Sequence, residues 1–263
     1  MSDDRVRLEI DGPVAIITNA NVDKRNAFDD AMDIRLFEIL TELRGRADVR
    51  AVIWRGEGNS FSSGRDTSAI GVVGGSDVEL THHELMARGH RGIQQIFELD
   101  APILVAIQGW AIGGGFQRAL LCDIRVAAED AKFMLPEVTY GVIPDTGGVA
   151  CLIEICGHGV ASDLVLTGRP MDAQEALGHG IVSRVVPSDE LDATVREMAD
   201  KIAAAPTATV KMARRVIRHL VDPDIRQSMA EELIAQTYLN KSADYAEFRD
   251  ARANEREPRY TGS

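Results

Sequence analysis

Several kinds of residue and motif are scarce or missing in this chain, and each absence closes off a class of function. There are three cysteines, Cys122, Cys151 and Cys156, and they form no metal-ligand pattern. An odd count, without a secretion signal, points to reduced thiols. The six histidines make no H-x-x-x-H pair. Positive charge is outnumbered, with 29 Lys and Arg against 41 Asp and Glu, a formal net charge of −12. Such a balance argues against nucleic acid or an anionic membrane as partner, while leaving room for a phosphorylated ligand, which needs only a local basic cluster. No apolar run reaches the roughly 18–20 residues of a transmembrane helix. The start, MSDDRVRLEIDG, is acidic where a signal peptide needs an apolar core. A cytosolic protein without a metal is the expectation. No GxGxxG opens a helix, no GK[ST] follows a glycine loop and no GxSxG occurs, which excludes dinucleotide, P-loop and nucleophile-elbow readings.

What is present is organised around Ile103–Ile124, ILVAIQGWAIGGGFQRALLCDI. A β-prone run ends at Gly109, a second short apolar piece meets Gly113, Gly114 and Gly115, and FQRALLC then has helix-forming character. Strand, glycine turn and helix start leave free N–H groups and the positive end of a helix dipole facing outward, with no Cβ to keep a ligand away. On these residues alone, an anion site and a tight packing turn stand level.

At 263 residues the chain can bury a substantial core in one or two domains. Residues 5–19 read as two strands broken at Gly12-Pro13. Met32, Leu36, Ile39 and Leu43 share one face of a helix spanning about 29–44, with Asp29 and Asp30 at its start. Val49 to Trp54 reads as a buried strand. The segment 81–99 reads as helical, with His82, His83 and His90 as surface residues. Beyond Pro187 the chain reads as helices, one starting at Pro206 and another at Pro223.

The stretch AIQGWAIGGGFQRALLCD resembles the glycine signature A-x-x-G-x-x-x-G-G-G-x-E-L-x-x-x-C-D of the enoyl-CoA hydratase/isomerase (crotonase) superfamily. The signature's catalytic Glu is here Gln117, read as the one departure. Phe61, Ser62, Ser63, Gly64, Arg65 and Asp66 resemble a second signature, F-[SC]-[AS]-G-x-D. Phe133, Pro136, Glu137, Gly141, Pro144, Gly147 and Gly148 resemble a third, A-x-F-x-x-P-E-x-x-x-G-x-x-P-x-x-G-G. The resemblance covers roughly residues 6–255.

The resemblance implies an α/β fold, a crotonase-like spiral of ββα repeats over 1–190 followed by a helical trimerisation region over 191–263. It implies an oxyanion hole made by the N–H groups of Arg65 and Gly114, and catalytic roles for Glu137 and for position 117. Asp145 stands where hydratases usually have Gly, and reads equally as a base or as a helix cap. Lys24, Arg25, Ala27, Ser63, Arg65, Asp66 and Thr67 are implied CoA contacts, and residues 67–80 a mobile loop near the acyl tail. Tyr238, Phe248 and Arg252 align with the family's ligand lid. The implied partners are an acyl-CoA thioester and further copies of the chain, as a trimer or a dimer of trimers, with coenzyme A entering as part of the substrate and no separate cofactor.

Gln117 cannot transfer a proton at neutral pH. Hydration with two glutamates around one water therefore lacks a partner, whereas double-bond migration asks for one carboxylate, Glu137 or Asp145, and the oxyanion hole. Isomerisation is the leading expectation. Hydration by Glu137 alone, hydrolase or dehalogenase chemistry through a carboxylate nucleophile, and non-catalytic acyl-CoA binding are the alternatives.

Overall fold

The computed structural model describes residues 3–66 and 82–263. Thr67 and the glycine-rich stretch 67–80 lie outside the described residues, as does the side chain of His82.

Two strands open the chain, β1 (Val6–Asp11) and β2 (Val14–Asn19), antiparallel and joined by a turn in which Gly12 has φ 57°. Helix α1 (Asp30–Arg44) follows, capped by the Asp29 carboxylate, which accepts from the Met32 N–H at 3.1 Å. Its face of Met32, Leu36, Ile39 and Leu43 is buried as the periodicity requires. Then come β3 (Ala51–Gly56), α2 (His82–Ile93), β4 (Ile103–Ile107), β5 (Trp110–Ile112) and α3 (Gly114–Leu121). The next unit is β6 (Ile124–Ala128), β7 (Lys132–Met134) and α4 (Gly148–Thr167); β8 (Met171–Asp172), α5 (Ala173–Gly178) and β9 (Arg184–Val186) complete the sheets.

The strands pair as β1-β2-β3-β4-β6-β9 in one sheet and β5-β7-β8 in a second. From β2 onward the larger sheet is parallel. Two successive turns, β4-β5-α3 and β6-β7-α4, thus place one strand in each sheet and then a helix, the ββα rhythm of a spiral. The central strands are covered on both faces, which explains their unbroken apolar character. Val52 and Trp54 of β3, with Ile103, Val105 and Ile107 of β4, face the main core. Ala51, Ile53, Leu104 and Ala106 point the other way, onto Leu191, Val195, Ala199 and Ala203 of α6 (Leu191–Ala204).

The C-terminal helices depart from expectation at Pro223. It starts no helix: α7 (Thr207–Leu239) runs through it for 33 residues, and the third helix, α8 (Ala243–Ala253), starts at the Ser242 cap. Proline removes one intrahelical bond, and tertiary contacts on either side hold the rod together. Before it, Arg218 donates to the Leu121 carbonyl at 3.0 Å; after it, Ile225 and Met229 enter the core.

By length and mean hydropathy alone, helix α4 is long and apolar enough to cross a membrane, although Glu154 and Asp163 interrupt its apolar run. It is broken at Gly157 (φ 76°, ψ 165°), and Cys151, Leu152, Ala161 and Leu164 pack into the core.

Candidate active site

Helix α3 is treated oppositely at its two ends. At the C-terminus, Arg125 donates to the carbonyls of Ala119, Leu120 and Cys122, and Arg218 to that of Leu121. Guanidinium groups thus satisfy the orphan carbonyls where the dipole is negative. At the N-terminus, Gly113 adopts φ 53°, ψ −126°, and a Cβ there would stand 3.1 Å from Glu137 Oε1. Gly114 is the first helical residue, and a Cβ on it would meet nothing within 4 Å. Its N–H has no acceptor among the described residues.

The second unused N–H belongs to Arg65. Phe28 donates to the Gly64 carbonyl and accepts from the Asp66 N–H, both at 2.8 Å, so the pairing brackets Arg65 and leaves its own N–H out. The approach depends on Gly64: a Cβ there would fall 2.6 Å from the Ile112 carbonyl oxygen and 3.3 Å from the Gly114 nitrogen. Arg65 and Gly114 line one cavity of about 270 Å³, together with Ser63, Gln117, Glu137 and Asp145.

Gln117 is held at both ends of its amide. Its Nε2 donates to Glu137 Oε1 at 2.9 Å, and its Oε1 accepts from the Thr146 N–H at 2.7 Å. Gly148 makes room for it, since a Cβ at 148 would lie 2.6 Å from Gln117 Cγ. The other oxygen of Glu137, Oε2, is buried and has no partner. Burial pushes this carboxyl up to about 8, with the Asp145 charge adding to the rise and the bonds from its own backbone N–H and Gln117 opposing it. A carboxyl in this range exchanges a proton near neutral pH, which suits general acid–base work.

Of the two roles read for Asp145, the helix cap falls to other residues. The cap of α4 is Gly147, two residues further on, with φ 77°. The acceptor at that cap is Glu232 of α7, whose Oε2 takes the Gly147 N–H at 2.8 Å. Gln236, one turn along, takes the Ile143 N–H at 3.1 Å. Asp145 instead lines the cavity beside Gln117. Burial raises the Glu232 carboxyl to about 7, bonds from Gly147 and Ser228 oppose this, and Asp145 adds to it. Neither Glu232 nor Gln236 carries a local sequence signal, because each acts on a loop about ninety residues away along the chain.

Arg118 is a second departure from the glycine signature, which has Leu at this position. Its Nη2 donates to Asp33 Oδ1 at 2.6 Å, and its guanidinium lies 4.3 Å from the centre of the Phe28 ring. The Arg65 side chain donates to Asp33 Oδ2 at 2.8 Å and also to Asp30. Burial pulls the Arg65 guanidinium down, but Asp33 and Asp30 outweigh it and hold it above its ordinary value. His90, expected at the surface, is buried among these groups and lines the cavity.

The residues implied as CoA contacts fall into two groups. Ser63 and Arg65 line the cavity. Lys24, Arg25, Ala27 and Asp66 form the loop pair beside it: Lys24 Nζ meets Asp66 Oδ2 at 2.6 Å, the Arg25 carbonyl takes the Ser63 N–H at 2.8 Å, and Ala27 is buried. At the other end, Phe248 stacks on Tyr140 at 4.9 Å, and both line the cavity, while Tyr238 is exposed and does not. Among the described residues no cluster of three or more His, Cys, Asp or Glu could hold a metal ion.

A two-sheet ββα spiral with this arrangement at the start of its glycine-led helix is the crotonase fold. The family model described as enoyl-CoA hydratase/isomerase matches residues 9–263, and the chain belongs to that family of enzymes. It is 34% identical over 214 residues to the carnitinyl-CoA dehydratase of Salmonella enteritidis PT4, covering 81% of this chain and 80% of that one. Among solved structures it is similar to an enoyl-CoA hydratase/isomerase from Pseudoalteromonas atlantica T6c, with a TM-score of 0.89, 27% identity, and 98% of this chain and 100% of that one covered. It is also similar to a carnitinyl-CoA hydratase from Mycobacterium avium, with a TM-score of 0.84, 32% identity, and 99% and 100% covered.

Proposed function

We propose that this enzyme moves a double bond within an enoyl-CoA thioester, using Glu137 as its one proton carrier. The observation that carries the reading is the asymmetry of that carboxyl: Oε1 is fixed by Gln117, whereas Oε2 is buried and unpartnered at the cavity. With a 3-enoyl thioester, the carbonyl oxygen sits against the Arg65 and Gly114 N–H groups. Glu137 Oε2 takes a C2 proton, negative charge moves onto the thioester oxygen, and those donors stabilise the enolate. The same carboxyl then returns the proton at C4, giving the 2-enoyl isomer. Gln117 transfers no proton; its amide oxygen is committed to Thr146 and one of its hydrogens to Glu137. Lys24, Arg25, Ala27, Ser63, Asp66 and Thr67 are the proposed contacts for the CoA moiety, and Asp145 a second carboxylate beside the reacting carbons.

Hydration or its reverse, with Glu137 acting alone, is the second reading. The names of the relatives, carnitinyl-CoA dehydratase and carnitinyl-CoA hydratase, favour it. Incubation with 3-enoyl-CoA and 2-enoyl-CoA decides by mass: isomerisation adds nothing, hydration adds a water. Release of free CoA would favour hydrolysis, and binding without turnover a non-catalytic role. The stripe Met212, Val216, Ile217 and Leu220 on α7 is exposed and apolar, which supports assembly into a trimer or a dimer of trimers. Light scattering at micromolar concentration should report either form, and a monomer would count against this.

A further inference from the structure

We infer that the acyl end of the cavity is built for a carboxylate, so that the substrate is a CoA thioester whose short acyl chain ends in an anionic group. This inference rests on the reading of the cavity as a CoA-thioester site.

Donors and acceptors at this end of the cavity do not balance. Among the described residues, two carboxylates and three guanidiniums line this part of the cavity, which leaves one positive charge in excess. The carboxylates are occupied. Asp33 accepts from Arg65 at 2.8 Å and from Arg118 at 2.6 Å; Asp30 accepts from Arg65 and has Arg88 Nη2 at 3.6 Å. The cations are not saturated. Among the described residues, Arg88 Nε and Arg118 Nε are both buried without an acceptor, and so is His90 Nε2 without a partner. Every guanidinium Nε carries a hydrogen, so two of these atoms are donors, unmatched in a place where unmatched donors are costly.

An apolar acyl chain would leave these donors unsatisfied and exclude the water that could serve them. A cationic chain end would meet the excess positive charge, and both Asp carboxylates are already ion-paired with guanidinium groups. A carboxylate supplies planar acceptors to guanidinium N–H groups, the pairing with the strongest geometric match. The remaining carboxyls of the cavity, Glu137 and Asp145, stand at the reacting end with Gln117. Position fixes the scale: Arg118 lies one helical turn after Gly114, so the residue that carries the charge is rooted about 5–6 Å along the helix from the oxyanion donor. That distance fits a short chain.

The test uses the full chain and saturated thioesters that cannot react. Glutaryl-CoA, pentanoyl-CoA, 4-(trimethylammonio)butanoyl-CoA and free CoA are titrated by calorimetry. Glutaryl-CoA should bind at least about tenfold more tightly than pentanoyl-CoA, as expected for charge-assisted bonds. Arg118→Leu should bring that ratio to about one. Arg88→Met should lower it as well, and serves as the second variant if circular dichroism shows that Arg118→Leu does not fold. Equal or tighter binding of pentanoyl-CoA, tightest binding of the trimethylammonio ester, or a ratio unchanged in the folded variants overturns the inference. Binding of none of the thioesters removes the CoA-thioester reading itself, and this inference falls with it.

Discussion

Gln117 and Arg118 are neighbours on α3, and they enter opposite electrostatic surroundings. Gln117 reaches Glu137, a buried carboxyl with no cation bonded to it, pushed up to about 8. Arg118 reaches Asp33, which is held by two guanidiniums, with Asp30 beside it in the same network. One cavity therefore keeps carboxyl groups in two conditions. Deprived of a counter-ion, the Glu137 carboxyl retains a proton that it can trade; bridged by two guanidiniums, Asp33 fixes the shape of a wall.

The strongest way to break the comparison is Glu137→Gln. Gln117 keeps an acceptor at this position, so the fold should persist while turnover falls by about 10²–10⁴. In the wild type, kcat/KM should rise as pH passes through about 8, as Glu137 becomes a base. The same group makes a thermodynamic prediction. Its folded pKa is raised from 4.5 to about 8, so the folded chain keeps a proton that the unfolded chain releases. The resulting penalty is absent below 4.5 and grows up to about 8. Glu137→Gln should thus equal the wild type in stability at low pH and exceed it near pH 8, on the order of a few kcal/mol. Melting curves that show no pH-dependent difference would place Glu137 with the paired carboxylates.

Next in size is Gly114→Pro. The position is the first of the helix, where proline is tolerated, and a Cβ there meets nothing within 4 Å. The variant should fold, with an unaltered circular dichroism spectrum, and lose about 10²–10³ in turnover for want of one oxyanion donor. Near-normal rates would show that this N–H does not face the reaction.

Asp33→Ala addresses the other surroundings. It leaves Arg118 without its carboxylate and costs about 2 kcal/mol of stability, discounted from the fully buried case because Arg65 is partly exposed. Denaturant titration measures this; an unchanged midpoint would mean that the ion-pair wall does not hold the fold.

The smallest effect is the sharpest in meaning. Gln117→Glu places two carboxyls in contact, which must then share a proton. Hydration of crotonyl-CoA should increase by about tenfold, and adding Glu137→Gln should remove the gain. An unchanged rate from a wild type that already hydrates efficiently would make Glu137 sufficient for water and the isomerase reading wrong.

Local pattern made much of this legible. The 3.6-residue spacing of α1, the Gly113–Gly115 run and the three ordered signatures each concern residues close together in the chain. Glu137 was readable for that reason. Arg118 was visible too, but in isolation it is only a charged residue on a helix; its meaning comes from Asp33, 85 residues earlier. His90 read as a surface histidine because its neighbours along the helix do not report that α1 and α7 pack against α2. Pro223 carried a strong local stop signal, overridden by contacts that Arg218, Ile225 and Met229 make with distant elements. Asp145 reads equally as a base or as the cap of α4 from local pattern, whereas the carboxylate at that cap is Glu232.

That last contact has a consequence for how the chain tolerates shortening. All three signatures lie before residue 149, so a fragment ending at 190 would hold every motif residue of the cavity. It would lack the clasp: Glu232 on Gly147 and Gln236 on Ile143 are what tether the loop from which Thr146 grips Gln117. At 33 residues, α7 is a strut about 50 Å long. It carries an oily stripe near one end and the clasp near the other, so whatever grips the stripe also has leverage on the loop.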